Sequence, residues 1–140
     1  MASEHRDYSS TPLAKKLGIR EGSRVLVAGA PEGFDLGDLP TDVQLLGRAG
    51  RKMDVVLLFV TKEVGLRRRL EALAAGLDAA GRLWVAWPKR SSGVATDLDF
   101  TTVRRTGLEL GLVDNKSASV NEDFQGLQFV YRLRDRADRR

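Results

Sequence analysis

Two short segments hold the residues with chemistry to offer. The first is Gly29-Ala30-Pro31-Glu32-Gly33, a glycine-bracketed turn after the apolar run Val25 to Ala28. The second is Trp87-Pro88-Lys89-Arg90-Ser91-Ser92-Gly93, which joins two cations, two hydroxyls and a glycine ahead of a predicted helix. Cations and loop N–H groups at a helix start suit an anion, although Lys89 and Arg90 also read as an ordinary solvated loop. Glu32 brings the opposite charge: it accepts from a ligand amine or caps the short helical turn that follows. Gly29 and Gly33 serve ligand contact or plain turn geometry. Trp87 stacks on a planar ligand or closes the core. With Lys62, these give the candidate ligand-binding residues Gly29, Glu32, Gly33, Lys62, Trp87, Lys89, Arg90, Ser91 and Ser92. Glu122, Asp123 and Phe124 form a second candidate, an exposed interaction surface.

What is missing bounds the chemistry. The 140 residues contain no cysteine, which removes disulfides, thiolate nucleophiles and cysteine-based zinc sites. The single histidine, His5, lies in a polar N-terminal segment. Without a positioned imidazole, Ser-His and Cys-His catalysis drop out, and a general base has to be a carboxylate, a lysine or a tyrosine. No catalytic residue and no metal site is assigned. The formal charge is +4, but Arg132–Arg140 hold five arginines against two aspartates. That tail reads as solvated, so specific nucleic-acid binding is not expected. The apolar runs are too short for a membrane span, and the N-terminus lacks the apolar stretch of a signal peptide, so a cytoplasmic location is expected.

The elements that must position these residues follow from periodicity. Thr11 to Gly18 reads as a short helix, with Thr11 as cap and Pro12 in the first turn. Strands are predicted at Arg24–Ala28, briefly at Asp42–Leu46, at Asp54–Val60 and at Arg82–Trp87; the last two are continuous apolar runs suited to burial on both faces. Lys62–Ala79 is the clearest helix, with Leu66, Leu70, Leu73 and Leu77 on one stripe. Its arginine triplet, Arg67 to Arg69, reads as a solvated face with i,i+4 pairs Glu63–Arg67 and Arg67–Glu71. A further helix, capped by Thr96 or Asp97, runs to about Leu110. Strands at Leu112–Val120 and Leu127–Leu133 follow, joined by the loop Asn121–Gly126. Leu127, Phe129, Tyr131 and Leu133 alternate onto one face. Asp114, Asn115 and Lys116 suit an edge strand. The expected fold class is α/β: a mainly parallel sheet covered by helices on both faces, ending in an antiparallel hairpin. Residues 11–133 make one domain, between a flexible tail at 1–10 and a charged, Arg-rich tail at 134–140.

Two resemblances attach to these residues. Leu17-Gly18-Ile19 leading into Gly22-Ser23-Arg24-Val25-Leu26-Val27-Ala28-Gly29 resembles the entry to a Rossmann-like methyltransferase domain, and the topology from Leu13 to Arg132 is similar, including an antiparallel last strand. The resemblance implies S-adenosylmethionine over the loop after the first strand, with an acidic residue at the end of the second. This chain departs from that pattern. Pro31 removes an N–H, Val27 and Ala28 stand where an acid is usual, and seven residues, Gly47 to Met53, replace a helix and a third strand. No ribose-binding acid is evident. More specifically, Tyr8 to Ile19, Ala30 to Phe34, Val56 to Val60, Trp84 to Lys89 and Gly111 to Lys116 resemble a family of small bacterial proteins grouped as domain of unknown function 3052. That resemblance implies kinship and no activity; it also implies a tryptophan near Phe124.

The preferred expectation is a reduced, non-catalytic, methyltransferase-like domain that binds a small anionic ligand or a protein partner at the carboxyl edge of its sheet. S-adenosylmethionine is disfavoured as cofactor. The alternatives are a minimal S-adenosylmethionine-dependent methyltransferase, alone or completed by a second subunit, and a pure protein-interaction module.

Overall fold

The computed structural model of the chain describes residues 11–137. The expected N-terminal tail with His5, and residues 138–140 of the expected C-terminal tail, lie outside the described residues. The elements are α1 (Leu13–Leu17), β1 (Arg24–Ala28), β2 (Gln44–Leu46), β3 (Met53–Phe59), α2 (Leu66–Ala75), β4 (Leu77–Pro88), a 3-10 turn (Arg90–Ser92), α3 (Phe100–Glu109), β5 (Leu112–Ser119), β6 (Phe124–Tyr131) and α4 (Leu133–Arg136).

The strands form one sheet in the order β2-β1-β3-β4-β6-β5. β2, β1, β3 and β4 are parallel, and β6 is threaded antiparallel between β4 and β5. The strand order reverses between β1 and β3, so the crevice above their carboxyl ends is the switch point of the sheet. β3 and the second half of β4 are buried almost throughout, as continuous apolar strands between two layers must be.

Helices lie on both faces, unequally. Leu66, Leu70 and Leu73 of α2 and Val103 of α3 pack on Leu26, Val56, Leu58, Leu83 and Val85. The other face is covered by Ala14 and Leu17 of α1 and by irregular chain carrying Leu36. Here the Trp84 indole N–H donates to Leu17 O at 3.0 Å, tying α1 to the sheet centre.

Several expectations are corrected. The long helix ends at Ala75, because Leu77 opens β4 opposite Met53; Leu77 keeps the buried position that its place in the leucine stripe suggested. Arg67 reaches Glu109 of α3 at 2.9 Å and Glu63 reaches Arg105 at 3.8 Å, so these charges bridge toward α3 instead of pairing along α2. The cap of α3 is Asp99; Asp97 Oδ1 accepts from the Glu63 N–H at 2.7 Å. Pro12, not Thr11, is the N-cap of α1. β6 begins at Phe124, three residues earlier than Leu127, and Leu133 leaves the alternation for the exposed turn α4, which runs on into the expected tail.

Candidate functional site

Two clefts open along the carboxyl edge. The first, about 570 Å³, lies over the switch point and is lined by Gly29, Glu32, Phe34, Thr61, Arg69 and Asp123, with Gly33, Phe59 and Phe124 among its other walls. β1 ends against it in Gly29, whose φ of +72° is left-handed. A Cβ there would stand 2.8 Å from Phe59 O and 3.2 Å from an Arg69 guanidinium nitrogen. Glycine is therefore required twice, for the turn and for the close approach of β1 to β3. Phe34, Phe59 and Phe124 meet edge to face, with centroids 4.8 and 5.1 Å apart, and make an apolar wall.

The second cleft, about 840 Å³, lies over β4, β6 and β5 and is lined by Trp87, Lys89, Arg90, Ser91, Phe100 and Ser117, among others. Trp87 is 3% exposed, so it closes the core and offers the cleft little more than an edge. Lys89 Nζ donates to Ser119 Oγ at 2.8 Å. The linings of the two clefts are joined by hydrogen bonds that include Lys89 N–H to Asp123 O at 2.8 Å, Thr96 Oγ1–H to Thr61 O at 2.6 Å and Ser119 Oγ–H to Asn121 O at 3.0 Å. They are neighbouring compartments on one edge.

The nine predicted binding residues thus divide. Gly29, Glu32 and Gly33 line the first cleft, and Trp87, Lys89, Arg90 and Ser91 line the second. Lys62 is exposed and lines neither. Ser92 is engaged in its own turn: its hydroxyl donates to Lys89 O at 2.7 Å and accepts from the Val94 N–H at 3.0 Å. The interaction surface is also corrected. Phe124 is 6% exposed, because β6 starts with it and its ring packs on Phe59. Glu122 stays exposed outside both clefts, whereas Asp123 lines the first.

Arg69 is the residue that sequence reasoning missed. It belongs to the triplet read as solvated, yet its guanidinium lies beside Gly29. All three arginines are exposed, and only the fold, which brings Arg69 to the end of β1, sets it apart from Arg67 and Arg68. Near the second cleft, the Thr102 backbone N–H and hydroxyl hold the Asp99 carboxyl below its ordinary pKa, with Arg105 and Arg90 adding to the effect. The hydrogen bonds that cap α3 thus favour the ionised form of Asp99. Among the described residues, no cluster of His, Asp or Glu could hold a metal ion. Nor is any described helix long and apolar enough to cross a membrane.

No family model and no curated protein matches the chain. Solved structures do. A SAM-dependent methyltransferase from Aquifex aeolicus superposes with a TM-score of 0.61 at 14% identity, over 92% of this chain and 97% of that one. Magnesium protoporphyrin IX methyltransferase from Synechocystis, with bound SAH, gives 0.56 at 14% identity, over 94% and 84%. A TehB-like SAM-dependent methyltransferase from Corynebacterium glutamicum gives 0.51 at 15% identity, over 94% and 96%. The fold is the Rossmann-like methyltransferase fold. This corrects the expectation of a non-catalytic domain for a small anionic ligand or a protein partner. That expectation rested on an intact sheet pattern, on the lack of a catalytic imidazole or thiol and on the shortened cofactor half; a methyltransferase matched over 97% of its own length answers the last of these.

Proposed function

We propose that the chain is a minimal S-adenosylmethionine-dependent methyltransferase, with the cofactor in the cleft over β1 and β3 and the acceptor in the cleft over β4, β6 and β5. The observation that carries this reading is the first cleft: it lies at the switch point, and Arg69, Glu32 and Asp123 all line it. The residues fit a zwitterionic cofactor. Arg69 suits its carboxylate, Glu32 and Asp123 suit its ammonium group or ribose hydroxyls, and the phenylalanine wall suits the adenine face. The residue after β2 is Gly47, followed by Arg48, so any ribose contact falls to Glu32 or Asp123 instead of an acid at that strand's end.

When bound, S-adenosylmethionine supplies an electrophilic methyl group on a sulfonium. The chain's own contribution is then mostly positional. Two compartments that share a wall hold two reactants side by side, and orientation of that kind is worth several powers of ten in rate. Asp99 is engaged as a helix cap, so a well-matched acceptor is one that is already nucleophilic near neutral pH and releases its proton to water. Kinship with the domain of unknown function 3052 belongs to this proposal as well.

Isothermal titration with S-adenosylmethionine and S-adenosylhomocysteine tests the reading. Saturable binding is expected, weakened at least about tenfold by Arg69→Ala and by Glu32→Ala, in keeping with lost charge-assisted hydrogen bonds. Absence of binding, or affinity untouched by both substitutions, overturns it.

A further inference from the structure

The two outer edges of the sheet meet solvent differently. β5 carries Asp114, Asn115 and Lys116, with a bulge between Asp114 and Lys116, devices that discourage pairing with another chain. β2 reads Gln44-Leu45-Leu46, with no charge in the strand. Leu45 is 59% exposed, beside an apolar groove of about 310 Å³ lined by Val25, Val27, Leu36, Leu39 and Leu46 among others. The Gln44 N–H donates across to Ser23 O at 2.8 Å. Backbone groups alternate sides along a strand, so with Gln44 bonded to β1 the N–H and C=O of Leu45 face outward.

We propose that this edge pairs antiparallel with the same edge of a second copy, about a twofold axis at Leu45. An interface of this kind must be self-complementary, and the sequence around Leu45 is. Equal steps outward set Leu45 opposite its counterpart and Gln44 opposite Leu46, with Asp42 and Arg48 just beyond the two ends of this short stretch, so that each lies near the other in the partner copy. Leu45 is the residue whose outward groups a hydrogen-bonded pair in this register uses. Asp42 has a left-handed φ of +62°, which turns the chain there and leaves the charge pairs flanking a short ladder. Neither Asp42 nor Arg48 has an ionic partner in its own chain among the described residues. Opposite residues of an antiparallel pair share a face, so the two Leu45 side chains cover each other and the mouths of both grooves.

Sedimentation velocity of the full chain over a concentration series tests the pairing, with circular dichroism melts confirming that each variant is folded. The wild type is expected to dimerise, and Leu45→Lys to be monomeric. Asp42→Lys and Arg48→Glu each turn two attractions into two repulsions, and should weaken the dimer at least about tenfold. The double variant should regain it. Arg48→Glu alters an exposed side chain without touching the left-handed position at 42, so it reads the charge effect on an unchanged backbone. A wild type that stays monomeric into the hundreds of micromolar assigns the edge to another occupant and overturns the proposal. A dimer that survives Leu45→Lys, or a double variant that fails to recover, overturns it equally. None of these residues lines the cleft over β1 and β3, so cofactor binding and dimerisation can fail separately.

Discussion

Beyond β4 the sheet is finished densely: β6 fills the gap before β5, α3 packs on β5 and β6, and the last edge is charged and bulged. Beyond β1 it stops after three residues of β2, under irregular chain and with a bare apolar edge. Both ends belong to one sheet, and the difference shows how a short chain divides its residues. The dense end fixes the scaffold; the sparse end keeps backbone and cleft open, where Gly29, Glu32 and Arg69 converge. Substitutions at the first should register as stability, and at the second as binding.

The largest effect is expected at the dense end. A Cβ on Gly107 of α3 would lie 2.1 Å from the ring of Phe129, which is wholly buried. Overpacking of that kind has no easy relief, so Gly107→Ala should cost about 3 kcal/mol in urea unfolding. A loss below about 1 kcal/mol would mean the dense end is looser than its partner. Next comes the seam between the two ends. Trp84→Phe removes the donor to Leu17 O and should cost about 2 kcal/mol, with the amides of α1 exchanging sooner than those of α3. Equal acceleration in both helices would deny that α1 is held separately.

The smallest effect is electrostatic. Asp99 has a depressed pKa in the folded chain, so its stabilising contribution is complete above the ordinary carboxylate range and fades as pH falls through the depressed value. Asp99→Asn keeps an acceptor for the Thr102 N–H. It should therefore unfold less steeply with acid than the wild type, with little change at neutral pH. An unchanged acid limb would remove Asp99 from the account.

The succession of strands along the chain, the antiparallel finish and the polar edge were legible because each rests on a local signal: unbroken apolar runs, alternation, and Asp-Asn-Lys in a strand. The end of α2 was not. Leu77 continues the leucine stripe and Ala79 and Ala80 favour helix, while the pairing of Leu77 with Met53 is a long-range fact. The site divided the same way. Glycines at a strand end announced the crevice, but Arg69 is chemically identical to its neighbours Arg67 and Arg68 and is distinguished only by what folding brings beside it. Phe124 erred in the opposite sense, since a residue beside an acidic loop became the buried first residue of β6.

The threading of β6 between β4 and β5 also dictates how the chain can be made. β6 follows every other strand in sequence, so during synthesis β4 and β5 emerge with no strand between them and nothing to hold them in one sheet. Each then exposes an unpaired, partly apolar edge, a state prone to misassembly. The sheet cannot be completed in step with translation; it closes in a single late event, when Phe124 to Tyr131 arrive.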